Sequence, residues 1–97
     1  MVLTLETLKD AGFLSNHPEN VLAKYYLASP KTESCEWRIM IEQDYLPGTN
    51  VLNFNVNMWK TNERGAIVKR ASLSDCKTTE DLNTLIGLCE INFTLNN

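Results

Sequence analysis

The side chains of this chain best suited to acid–base or nucleophilic work are one histidine, His17, and three cysteines, Cys35, Cys76 and Cys89. An imidazole can pass a proton near neutral pH, and a cysteine becomes a nucleophile once its thiolate is favoured. Acting together they would need a third group to orient the imidazole, and nothing close to His17 in sequence supplies one. Asn16-His17-Pro18 has instead the composition of a helix start, where a histidine caps or faces solvent. Cys35 and Cys89 fall on apolar stripes and read as core. Cys76, beside Lys77 at the mouth of an expected helix, is the one cysteine whose thiolate a positive helix end would favour. No Cys-x-x-Cys, His-x-x-x-His pair, glycine-rich phosphate loop or Gly-x-Ser-x-Gly elbow occurs, so no metal and no cofactor is expected. With no catalytic constellation, the chain reads as non-enzymatic. Three widely spaced cysteines, an odd number, argue for reduced thiols rather than a disulfide framework.

Binding chemistry leaves clearer traces. Lys60, Arg64, Lys69, Arg70 and Lys77 outnumber Glu63 and Asp75 between residues 60 and 77, whereas residues 1–48 hold seven carboxylates against four cations. With Trp59 beside it, the basic segment is a candidate contact for nucleic acid or an acidic partner, through Lys60, Arg64, Lys69 and Arg70. An indole can stack on a base while cations hold phosphates. The chain as a whole is acidic, with net charge −3 and a pI near 5.0, which favours a protein partner over a nucleic acid.

The element that positions these groups is the segment 51–60, in which Leu52, Phe54, Val56 and Met58 alternate with Asn53, Asn55 and Asn57. Such alternation predicts a strand with one dry and one wet face. Cys35, Trp37, Ile39 and Ile41 alternate in the same way with Glu36, Arg38, Met40 and Glu42, and the turn at 44–50, centred on Pro47-Gly48, makes the two strands antiparallel. A third strand is expected over 66–73. There Ala66 and Val68 would face the core only if Arg70 followed them inward, unless a bulge near Lys69-Arg70 turns Ala71 and Leu73 in instead.

Helices are expected on either side of the strands. Thr4 caps a short first helix that ends at Gly12, with Phe13 and Leu14 folding back against it. A second helix is expected from Pro18 to about Ala28, with Val21, Leu22, Tyr25 and Tyr26 on one stripe. Thr78-Thr-Glu-Asp81 starts the third, where Leu82, Leu85, Ile86 and Cys89 recur at helical spacing. Ile91 and Phe93 then continue against the sheet. The expected fold is therefore α+β, a single two-layer domain over 1–97 in the order α-α-β-β-β-α, with helices on one face of a three-stranded antiparallel meander.

A chain of 97 residues, 43% hydrophobic and 22% charged, suffices for one core, and composition favours neither disorder nor a disulfide scaffold. No apolar run approaches the roughly 18 residues of a membrane span, and Met1-Val-Leu-Thr-Leu-Glu lacks the basic and apolar regions of a signal peptide, so a cytoplasmic location is expected. Asparagine is depleted in strands, so three in strict alternation ask for a reason. On the wet side they are joined by Arg38, Met40 and Trp59, residue types enriched at interface cores. Arg38, Met40, Asn53, Asn55, Asn57 and Trp59 are thus the candidate partner-binding residues of a small adaptor or inhibitor that occupies a surface on a larger protein.

Overall fold

A computed structural model describes residues 2–15, 25–29, 36–45 and 52–95. Two helices, α1 (Leu5–Asp10) and α2 (Thr79–Leu88), accompany five strands: β1 (Leu14–Ser15), β2 (Tyr25–Ala28), β3 (Trp37–Tyr45), β4 (Leu52–Thr61) and β5 (Ile67–Cys76). The strands lie in the order β1-β2-β3-β4-β5, every neighbouring pair antiparallel. The α+β class is as expected, and β3-β4-β5 is the anticipated meander. Two further strands extend it, so the sheet is five-stranded rather than three-stranded.

The expected second helix is corrected at its end. Tyr25–Ala28 forms β2, paired with Ile39–Glu42 of β3; its start, with His17, lies outside the described residues. Adjacent tyrosines and a leucine suit a strand, and pairing with β3 outweighs a stripe of apolar residues that fits a helix equally well. Of the turn expected at 44–50, Asp44 and Tyr45 belong instead to β3, opposite Asn53 and Leu52, and the rest lies outside the described residues.

Local sequence accounts for both helices. Thr4 Oγ1 accepts the amide N–H of Thr7 at 3.1 Å, and Thr78 Oγ1 accepts that of Asp81 at 3.1 Å; each satisfies a donor that the first helical turn leaves without a partner. Past α1, Gly12 takes φ +98° while its N–H donates to Lys9 and that of Phe13 to Leu8. The same paired closure ends α2, where the N–H groups of Glu90 and Ile91 donate to Gly87 and Ile86, with Glu90 rather than glycine in the left-handed position at φ +55°.

The core occupies the helical side of the sheet. Ile39, Ile41, Phe54, Val56, Met58 and Cys76 are buried there beneath Leu8, Leu82 and Ile86. The C-terminal segment closes it: Ile91 and Leu95 are buried, and Phe93 packs its ring against Phe13 at 5.6 Å and Trp37 at 5.3 Å. Asn83 pins this segment by accepting the N–H of Leu95 at 2.9 Å and donating to its carbonyl at 3.1 Å.

Strand β5 resolves its facing conflict with a bulge one residue earlier than expected. Lys60 pairs with Lys69 but Thr61 with Ile67, so Val68 is the extra residue, and Ala71 and Leu73 then turn inward. A second slip, between Phe54↔Cys76 and Val56↔Leu73, leaves Ser74 and Asp75 opposite Asn55, with Asp75 at φ +57°.

Candidate partner-docking face

Strand alternation decides which candidate residues meet. With Phe54, Val56 and Met58 all turned into the core, the residues between them emerge on the opposite side of β4. Asn57 is exposed, and Asn55 and Trp59 are half-buried. Register adds Arg38, Met40 and Glu42 from β3, opposite Trp59, Asn57 and Asn55, and Ser72 and Arg70 from β5, opposite Asn57 and Trp59. Met40, Ser72 and Arg70 are exposed. Among the described residues no second layer covers this face.

Its centre is a row across three strands, Arg38–Trp59–Arg70. The Arg38 guanidinium lies 5.4 Å from the centre of the Trp59 ring, a cation–π contact between cross-strand neighbours. Arg38 Nε is shut away from solvent and meets no acceptor among the described residues. A charged donor left so is an expensive arrangement.

The three asparagines do not act alike. Asn57 presents its amide to solvent. Asn55 Oδ1 accepts the N–H of Asp75 at 3.4 Å and so supports the second bulge. Asn53 stands opposite Asp44 in register, and its side chain lies outside the described part.

The basic candidates are divided between the two sides of the sheet. Lys60 Nζ donates to the carbonyl of Glu90 at 2.7 Å, and Lys69 Nζ lies 3.4 Å from the Glu90 carboxylate, so both clasp the C-terminal end of α2, where a cation is favourable. Arg64 is exposed in the β4–β5 turn, whose geometry is set by Asn62 Oδ1 accepting the amide N–H groups of Arg64 and Ala66 at 2.9 and 3.0 Å. Arg70 alone of the four belongs to the open face. Around the turn, Glu36, Lys60, Thr61, Asn62, Glu63, Arg64 and Gly65 line a shallow groove of mixed charge, which favours neither a polyanion nor a polycation.

The two described cysteines, Cys76 and Cys89, are both buried. Cys76 is fully buried; desolvation, reinforced by the Asp81 carboxylate, pushes its thiol up to about 11 despite the helix end nearby. Its Sγ donates to the carbonyl of Thr78 at 3.7 Å. Burial likewise raises the Cys89 thiol. Among the described residues no group of His, Cys, Asp or Glu is arranged to hold a metal ion. His17 and Cys35 lie outside the described residues. No described helix is long and apolar enough to cross a membrane.

Sequence reasoning found Arg38 and Trp59 but placed Arg70 in a separate basic group. The signal for joining them was the bulge: with one extra residue at Val68, Arg70 falls on the wet face beside Trp59. Comparison with protein-family models, curated proteins and solved structures gives no match.

Proposed function

We propose that this chain is a non-enzymatic protein-interaction domain that acts as an adaptor or inhibitor by laying the open face of its sheet on a larger protein or complex. The observation that carries this reading is the Arg38–Trp59–Arg70 row, flanked by exposed Met40 and Asn57, on a rigid sheet backed by a fully buried core. Trp and Arg are the residue types that most often dominate binding energy, and a sheet holds them in place before a partner arrives, which limits the entropy lost on docking. Two guanidinium groups beside one indole favour a partner surface with an acidic rim.

The nucleic-acid alternative draws less support, because Lys60 and Lys69 are engaged with Glu90 on the helical side and do not continue the cationic row. The test is co-purification from the native host with wild type and Trp59→Ala in parallel. Loss of the partner with the fold retained supports the reading. An unchanged set of partners, or binding that titrates away with nuclease treatment and rising salt, counts against it.

A further inference from the structure

The sheet stops at β5 before its core is sealed. Val56 and Met58 of β4 are 1% and 0% exposed, yet Leu73 and Ala71, their neighbours across the ladder, are only half-buried although they pack against the same core. Leu85 of α2, the helix that packs against β5, is half-buried too. An apolar layer that is dry on one strand and half-wet on the next lacks its outermost cover on that side.

Strand β5 pairs along one edge with β4. On the other edge the described residues offer only the N-terminal segment, and that meets the chain beyond the strand: Val2 bridges Thr78, and Leu3 N–H donates to the Lys77 carbonyl at 2.8 Å. Long edges are commonly blunted with proline, an inward charge or a bulge. Here the bulges sit at Val68 and at Ser74–Asp75 and the inward charge is Lys69, held by Glu90 at one end of the stretch; residues 70–73 beyond it run in regular register. That stretch alternates in chemistry. Ala71 and Leu73 face the helical side, while Arg70 and Ser72 face the open side and are exposed.

We propose that the outer edge of β5 takes an extended segment of a partner protein as a sixth strand, with apolar side chains covering Ala71 and Leu73 and alternate carboxylates meeting Arg70. Main-chain hydrogen bonds supply attraction in this mode, and alternate side chains supply selectivity. Charge complementarity selects the occupant. Lys69 already pairs with Glu90, whereas no carboxylate pairs with Arg70 among the described residues. A carboxylate beside Arg70 extends the Arg38–Trp59–Arg70 row by one ion pair. A second copy of β5 would instead bring a strand of net positive charge, Lys69 and Arg70 against Asp75, and no carboxylate within its regular stretch to meet Arg70. The proposal rests on the reading of the chain as a protein-interaction domain and names the chemistry of the segment it captures.

The probe is a short blocked peptide alternating glutamate and valine, with its lysine–valine counterpart as control. Each is titrated into the full chain while amide hydrogen exchange is followed residue by residue. Amides within 69–73 are expected to gain protection, and the glutamate peptide is expected to bind roughly tenfold tighter than the lysine peptide at low salt. Arg70→Glu, an exposed substitution that leaves the backbone edge in place, is expected to reverse that preference. Unchanged protection over 69–73, equal affinity for the two peptides, a preference that survives Arg70→Glu, or protection of the edge by self-association without peptide would each overturn the proposal. Should the edge fail while Trp59→Ala still abolishes partner capture, the open-face reading stands alone. Peptide binding with a Trp59-independent partner set would have the opposite meaning.

Discussion

Two adjacent residues give the sharpest energetic test of a sheet with one dry and one wet face. Val56 is 1% exposed between Ile41 and Leu73, and Asn57, next in the chain, is exposed between Met40 and Ser72. Val56→Ala deletes two buried carbon groups at about 0.8 kcal/mol each and leaves a cavity, for a loss of roughly 2 to 3 kcal/mol. Asn57→Ala removes a solvated amide and replaces a poor strand former, so its effect stays within about 0.5 kcal/mol of zero. In urea, with a slope of roughly 1.5 kcal/mol per molar, the first variant moves the unfolding midpoint down by about 1.5 to 2 M and the second scarcely moves it. Equilibrium unfolding followed by far-ultraviolet circular dichroism measures both. A loss at Asn57→Ala comparable to that at Val56→Ala would mean that something packs over the asparagine face, and the docking surface would not exist.

Removing the cap of α2 by Thr78→Ala is expected to cost about 1 kcal/mol, lowering the melting temperature by roughly 4 to 8 °C in calorimetry. Asn62→Ala removes the acceptor of two turn amides and is expected to cost about 1 kcal/mol, since water replaces part of what is lost, with amide exchange accelerating first at Arg64 and Ala66. Because the Cys76 thiol is raised from an ordinary 9.0 to about 11, its neutral form is the one that folding favours. Its contribution to stability is intact below pH 9 and is lost as the pH climbs through 11. Urea midpoints should therefore fall over that window, and fall less in Cys76→Ala; alkylation of native Cys76 at pH 8 should be slow until denaturant is added.

The two central strands were legible because period-2 alternation in 37–42 and 52–58 admits one face assignment. The ends of α1 and α2 were legible because Thr4, Gly12 and Thr78 are local signals whose partners lie within one helical turn. What escaped was decided across the sheet. Tyr25–Ala28 has no strong preference of its own and is set by its pairing with β3. The bulge at Val68 was anticipated from the conflict between Val68 and Arg70, but its exact residue depends on the register with Lys60 and Thr61. That one residue carries Arg70 onto the face of Trp59 and turns two separate sequence candidates into one row. The reach of Lys60 and Lys69 to Glu90 spans 30 and 21 positions in sequence, a contact no local pattern encodes. Gln43 is buried although polar, continuing the inward alternation of Trp37, Ile39 and Ile41 past the point where hydrophobicity marks it.

The central claim is that the side of the sheet bearing Asn57 touches another protein, and site-directed photo-cross-linking in the native host reads that contact directly. A photoreactive side chain placed at position 57 is expected to give one dominant protein adduct, lost when Trp59→Ala is added, while the same group at exposed Glu6 on α1 gives none. Equal labelling from both positions, or no protein adduct from position 57, would contradict the account.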